Sequence, residues 1–396
     1  MAGIRAGIRA EQRMQARSVG RVKRKQEENF FDYSMLFIVL FLLGFGLVMI
    51  YSTSSYTAQT RFGTATFFLR KQTIPVLLGI GMMLFISRLD YRLLIKELPV
   101  LHIKPVLLIY VLALVLQTVV LFVSGGESHG AQRWLPVPII GSFQPAELSK
   151  VATILFTAYI AYGAPRKLDK LRGFIRAGIY IGPLIILIAV ENLSSAIIVA
   201  GIFVAICFVT SRKKMYFIVI FLALAAAAGA YVVLGEGFRM ERFEIWMNVE
   251  THPKGYQILQ GLYAIASGGM FGAGLGQSMQ KLGFIPESHN DMIFTIICEE
   301  LGLVGAIALI LLFVLLLWRI FVIAVNAPDL YAALLCVGVL AQVAIQVILN
   351  IAVVTNSIPS TGISLPFISY GGTSVAILLM EIGMVLSVSN HIRYER

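Results

Sequence analysis

FIPESHNDMIFTIICEELGLVGA, residues 284–306, is the stretch on which the fold turns. It opens with Glu287-Ser-His289-Asn-Asp291 and passes into an apolar run that still carries Glu299 and Glu300. The run is long enough to cross a bilayer. Carboxylates at the mouth of such a span are costly to desolvate, so they mark a functional site by default. Upstream, the stretch closes a polar segment, Gly235–Asp291, over fifty residues long in an otherwise apolar chain.

The rest of the chain agrees. Its 396 residues are 58% hydrophobic and 13% charged, with a mean hydropathy of +0.84. A soluble domain of this size needs a polar surface that these proportions do not supply. Ten apolar runs fall at 35–55, 73–87, 105–123, 147–163, 175–190, 193–210, 215–234, 292–317, 330–354 and 371–389. They predict an all-α polytopic membrane protein with a ten-helix domain over 35–390. A basic tail (1–34) precedes it and a short C-terminus (391–396) follows, with the large loop (235–291) between helices 7 and 8. No internal repeat or low-complexity linker is visible.

Charge orients this arrangement. The tail, the even-numbered loops and the C-terminus hold 23 of the 32 basic residues, the odd-numbered loops eight. The positive-inside rule then puts both termini in the cytoplasm and the large loop outside. It also explains the net charge of +11 through helix ends and the anionic inner leaflet, without nucleic acid. Arg5, Arg9, Arg13 and Arg17 recur every four residues, as in a membrane-surface helix or a disordered basic tail. Met1–Asn29 lacks the apolar core of a signal peptide. Cys207, Cys298 and Cys336 lie in apolar runs, are odd in number and have no zinc-type spacing, so they are packing residues.

Several constellations carry chemistry. In Gln144-Pro-Ala-Glu147-Leu-Ser-Lys150, Pro145 suits the first turn of a helix and places Glu147 and Lys150 on neighbouring positions of one face. They form either a neutralised pair anchoring the helix or a cation aimed at a phosphate and held by the carboxylate. Arg133, in Gly130-Ala-Gln-Arg-Trp134, is an interfacial anchor or a fork for a diphosphate. Arg239, Arg242 and Trp246 fall on one helical face, suited to the interface or to an anionic headgroup. The glycines at 268, 269, 272, 274 and 276 match no nucleotide-binding pattern and permit a tightly turned or re-entrant loop.

If residues 287–291 are extended, Glu287, His289 and Asp291 share one side, a weak divalent-cation signal. Asp291 also stands where burial would raise its pKa towards that of a general base, or where a plain helix cap would sit. The uncharged stretch 350–374 has two prolines and three glycines in Pro359–Gly372. Such irregular backbone is tolerated only where it faces protein or water, so it is expected to line the same outward cavity.

GAQRW, QPAELSK, GYQILQ, FIPESHNDMIF with CEELGLVG, and PSTGISLPFISYGG, in this order, resemble the SEDS family of ten-helix membrane proteins that includes FtsW, RodA and SpoVE. The similarity covers about residues 30 to 390. It implies a peptidoglycan glycosyltransferase that polymerises lipid II on the outer face of the cytoplasmic membrane, with Asp291 as the essential aspartate. Lys150 matches the family's lysine, with Ala146 where a serine is usual, and Met292 stands where the phenylalanine is.

Gln144, Glu147, His289, Arg133 and Arg242 are the further candidates for the lipid pyrophosphate, and Glu287, Glu299 and Glu300 for support. A divalent cation, Mg or Mn, would share the charge. The family's Q-P-D-L-G-T block reads Glu191-Asn192-Leu-Ser-Ser-Ala196 here, so no site is assigned to it. The stretch 350–372 and the basic tail look more like FtsW, or its sporulation relative SpoVE, than RodA. A class B penicillin-binding transpeptidase and other divisome or elongasome membrane proteins are the implied partners. A lipid-linked precursor flippase is the rival class, with Asp291, Glu299, Glu300 and Lys150 as an ion relay.

Overall fold

Asp32 opens the first long helix, α1 (Tyr33–Phe62). Its carboxylate accepts the Met35 amide at 2.9 Å, and the far end closes on Gly63, whose left-handed backbone lets its amide reach the Gln59 carbonyl. The computed structural model describes residues 28–99, 102–122, 134–137, 141–215, 217, 219 and 238–394. Within them follow α2 (Phe67–Arg88), α3 (Pro105–Phe122), α4 (Pro145–Gly163), α5 (Leu171–Glu191) and α6 (Leu193–Thr210). Next come α7 (Phe238–Met247), α8 (Tyr256–Ser267), α9 (Ile293–Val325), α10 (Leu330–Val354) and α11 (Gly372–Asn390). Asn192 joins α5 to α6 and caps the latter, its side chain accepting the Ser195 amide at 3.1 Å.

Among the described residues eight helices are long and apolar enough to cross a membrane: α1, α2, α3, α5, α6, α9, α10 and α11. The nineteen-residue α4 carries Glu147 and Lys150 and is buried almost throughout Pro145–Ala158. Most of the expected span at 215–234 lies outside the described residues, as does the tail through residue 27. The all-α membrane architecture stands as expected.

Hydropathy drew two helices too short, α1 at its end and α2 at its start. The expected runs 35–55 and 73–87 lie inside α1 and α2. The end of α1 stays helical although polar, and there Thr53, Ser54 and Thr60 find partners for their hydroxyls within the helix, at carbonyls four residues back. The segment expected as a large loop is also more ordered than its polarity suggests. Residues 238–267 hold α7, a turn over 248–252, a short 3₁₀ turn (Pro253–Gly255) and α8, and from Gly268 the backbone is irregular.

Helices α4, α10 and α11 hold much of the buried interior. Helices α2 and α11 touch closely: a Cβ on Gly383 would stand 2.7 Å from the Met83 carbonyl oxygen, the kind of approach small residues allow in membranes. Leu77, Leu78, Phe85, Val111, Ile179 and Ile186 point outward and exposed, which suits acyl chains as solvent. Two short ladders were not expected. Strand β2 (Leu135–Val137) pairs with β3 (Gly141–Phe143) just before α4. At the other end β1 (Glu28–Asn29) pairs with β4 (Arg393–Tyr394), so the two ends of the membrane domain lie together. Beside them the buried Asp32 carboxylate accepts Nη2 and Nε of Arg319 on α9, at 2.6 and 3.1 Å.

Candidate active site

The site is built around a break in α9. Gly302 has φ 67° and ψ −168°, which ends one helical segment and starts another. Such a break strips backbone groups of their helical partners, and in an apolar setting these must find others. The glycine-rich loop after α8 supplies them in both directions. Ala273 and Gly274 donate their amides to the Glu299 and Glu300 carbonyls at 2.9 and 3.0 Å. The Gly269 and Met270 carbonyls accept the Leu303 and Val304 amides at 2.9 and 3.1 Å. The two backbones meet so tightly that a Cβ on Gly272 would lie 2.2 Å from the Glu300 carbonyl oxygen. Gly272 itself sits at φ 79°, which an L side chain resists. The tight turn expected of these glycines is present, and this exchange is its cause.

The side chains of Glu299 and Glu300 hold the next part of the loop. Glu299 accepts the Met279 amide at 2.9 Å and the Ser278 hydroxyl. Glu300 accepts the Ser52 hydroxyl and the Lys281 ammonium, each at 2.7 Å. All five side chains in these contacts are buried. Both carboxylates are thus engaged with the loop, and Glu300 with α1 as well. Lys281 and Ser52 had no signal in the sequence, since Ser52 lies 248 positions from its carboxylate.

Residues 287–291 are turns, which corrects the extended reading. Glu287 has φ 51°, and its carbonyl accepts the Asn290 amide at 2.9 Å. Glu287 is exposed and accepts the Asn290 side-chain amide at 2.8 Å. His289 is buried, its ring 4.3 Å from Phe68 and 5.4 Å from Tyr370. Burial pushes its pKa down to about 4, so at neutral pH it carries no charge with which to meet a diphosphate. Among the described residues no three His, Cys, Asp or Glu side chains gather as metal ligands, and the E-x-H-x-D run does not form a cage.

Asp291 is not the cap of α9, because the helix begins at Ile293 and Met292 occupies the capping position. Its carbonyl accepts the Asn350 side-chain amide at 2.8 Å, and the same amide reaches the Ile363 carbonyl at 2.8 Å. Two residues earlier the His289 carbonyl accepts the Tyr370 amide at 2.9 Å. A Cβ on Gly362 would stand 3.9 Å from Asp291 Oδ2. The irregular stretch after α10 thus forms one surface with the loop bearing Asp291, as expected, and Asp291 is half-buried in it. Ser369 accepts the Leu365 amide at 2.8 Å, a local packing role. Asn350, whose fork fixes both strands of this surface, went unnoticed in the sequence.

Helix α4 begins at Pro145 with Gln144 flanking it, as its sequence predicts. Lys150 is 1% exposed, and its ammonium lies 2.8 Å from the Glu147 carboxylate. The Ser374 hydroxyl donates to Glu147 at 3.0 Å. Ser374 is in the first turn of α11, four residues after the Tyr370 that bonds the His289 carbonyl, so the pair belongs to the same end of the bundle as Asp291. In this conformation Lys150 is shut inside the bundle with its partner. Deeper on α11, Glu381 is fully buried and accepts the Gln342 amide at 2.7 Å. A lone Glu in an apolar run was its signal. Helix α7 is tied in by Trp246, whose indole donates to the Asn356 carbonyl at 2.9 Å. Arg133 and the side chains of Arg239 and Arg242 lie outside the described residues.

The FtsW/RodA/SpoVE family model, described as a cell cycle protein, matches residues 33–394. This chain belongs to the FtsW/RodA/SpoVE family. It is 38% identical to stage V sporulation protein E of Bacillus subtilis over 371 residues, covering 92% of this chain and 98% of the relative. It is 35% identical to a probable peptidoglycan glycosyltransferase FtsW of Trichlorobacter lovleyi, covering 91% and 93%. Among solved structures, a chain of a peptidoglycan synthase complex that coordinates polymerization and crosslinking superposes with a TM-score of 0.76. That pair shares 26% identity, over 91% of this chain and 97% of the other. The rod shape determining protein RodA of Thermus thermophilus superposes at 0.66 with 26% identity, over 91% and 97%. The SEDS fold thus holds for nearly the whole length of this family member.

Proposed function

We infer that this protein is a peptidoglycan glycosyltransferase that polymerises lipid II into glycan strands, with Asp291 as its general base. Family membership and the relatives' names support the activity. The observation that supports the base is the setting of Asp291. It is half-buried at the head of α9, relieved of capping duty, and its backbone is held by Asn350 while Tyr370 holds His289. A base so placed keeps its position while a hydroxyl approaches.

The acceptor sugar's 4-hydroxyl attacks the anomeric carbon of the donor sugar, and the bond from that carbon to the pyrophosphate oxygen breaks. Asp291 takes the hydroxyl proton. Undecaprenyl pyrophosphate leaves with the bonding electrons. Arg133 and Arg242, with Gln144, are the proposed ligands for the departing diphosphate, where a guanidinium forks two oxygens. Lys150, neutralised by Glu147, serves chiefly to set the head of α4. Among the described residues Glu287, His289 and Asp291 do not gather as a set of metal ligands.

The chain is a multi-pass membrane protein. The proposed orientation has both termini in the cytoplasm and residues 235–291 outside, supported by the charge bias and by the pairing of β1 with β4. The proposed role is septal wall synthesis, in keeping with the cell cycle description of the family and with the FtsW and sporulation relatives. A class B penicillin-binding transpeptidase is the proposed partner, by analogy with the synthase complex.

The test is polymerisation of purified lipid II by the reconstituted protein, with its cognate partner carrying an inactivated transpeptidase site. Wild type is expected to yield glycan ladders. Asp291→Asn is expected to fall by at least about a hundredfold, the scale of general base catalysis, while still binding lipid II. Undiminished ladders from the variant refute the base. No ladders from wild type that still binds lipid II, with labelled lipid crossing sealed vesicles, favour the flippase.

A further inference from the structure

We propose that Lys281 is a positioning residue for Asp291, acting through a buried three-cornered contact with Glu300 and Ser52 that pins the loop to α1. The inference rests on Asp291 being the general base.

From Gly268 to Met292 the chain has no regular secondary structure, yet it must hold Asp291 steady. Its first part is bound to the break at Gly302. The rest needs another anchor, and the Lys281 ammonium is placed to be one. It lies 2.7 Å from Glu300 Oε1 and 3.1 Å from Ser52 Oγ, and the Ser52 hydroxyl donates to Glu300 at 2.7 Å, so each corner bonds the other two. Lys281 is 5% exposed and Glu300 0%. An ammonium so enclosed is not available to a diphosphate in bulk water, and a surface role for it is ruled out by the same number.

Three elements meet at this point: α9 through Glu300, α1 through Ser52, and the loop through Lys281. The next residue of α1 continues the seam, since the Thr53 carbonyl accepts the Ser288 hydroxyl at 3.2 Å. Ser288 is three residues before Asp291. Between the two anchors the buried Ile285 donates its amide to the Gln280 carbonyl at 3.0 Å. The path from Lys281 to Asp291 is therefore held at both ends against α1. A buried ion pair is seldom retained for stability, because apolar residues of the same volume serve as well. Its attested use is to fix one register among several, and here the register is that of the loop carrying the base.

The decisive variant is the double substitution Lys281→Met with Glu300→Gln, which keeps volume and burial and removes both charges. Lys281→Ala alone would strand a buried carboxylate and unfold the loop for trivial reasons. The charge-swapped pair Lys281→Glu with Glu300→Lys serves as rescue. All are reconstituted with the partner and assayed on lipid II beside wild type and Asp291→Asn. The double variant is expected to keep its melting temperature and its KM for lipid II. Its kcat is expected to drop between about tenfold and a hundredfold, the scale of a misplacement near 1 Å, with the acid limb of the pH–rate profile displaced. The swapped pair is expected to recover part of the loss.

Wild-type kcat and pH profile in the double variant would overturn the proposal, as would a rise in KM at constant kcat, which marks a direct ligand. If Asp291→Asn keeps polymerising, the base assignment itself has failed. If Asp291→Asn is dead and the double variant is fully active, only the positioning role has failed.

Discussion

Mild acid should loosen the loop that carries Asp291, through His289. The ring is buried against Phe68 and Tyr370, with its pKa pushed from an ordinary 6.5 down to about 4 by desolvation; Glu287 nearby acts to raise it and Arg61 to lower it. When the loop opens, His289 meets water and regains its ordinary value. Its folded pKa is the lower of the two, so the closed loop holds its full advantage above pH 6.5 and loses it as pH falls towards 4. At 1.36 kcal/mol per unit, the loss between pH 7 and pH 5 is about 2 kcal/mol, or about a thirtyfold rise in the opening equilibrium. Hydrogen exchange of the amides at 285–292, corrected for intrinsic rates, measures it directly. Wild type is expected to show the rise and His289→Gln, which cannot titrate, to stay flat. Parallel curves for the two proteins would show that another group governs opening and refute the reasoning.

Other substitutions probe the same surface. Gly272→Ala forces an L residue into left-handed backbone, about 1–2 kcal/mol, and drives its Cβ into the Glu300 carbonyl 2.2 Å away; polymerisation is expected to be lost, and normal activity would contradict the close approach. Asn350→Leu leaves the Asp291 and Ile363 carbonyls without their shared donor. At about 1–3 kcal/mol for each unsatisfied group, the melting temperature is expected to fall and kcat with it, whereas Asn350→Gln is expected to retain part of both.

What the sequence revealed divides by the range of the interaction involved. Pro145 marks the start of α4 correctly because the rule is local, and the ten-run hydropathy pattern identified a membrane bundle because burial in lipid demands it. Hydropathy could not find the end of α1 or the start of α2, where polar and charged residues such as Gln59, Arg70 and Lys71 sit inside the helix. The alternation rule failed at Glu287, whose positive φ turns the chain before the pattern can develop. Glu299 and Glu300 were recognisable as costly, but their partners were not. Lys281 is indistinguishable in sequence from a solvated loop lysine, and Ser52 and Asn350 act across more than fifty positions. Gly302 read as one more small residue in an apolar run, because its role depends on a loop some thirty residues upstream.

The break in α9 has a mechanical consequence. Ala273, Gly274, Leu303 and Val304 exchange their backbone bonds between loop and helix, so neither side can release the other without losing its own partners. The loop therefore straps α9 on both sides of Gly302, coupling the nine residues before the break to the rod beyond it. These amides should open as one cooperative unit. A push delivered along α9 from beyond Gly302 would reach Asp291 only after passing through that joint.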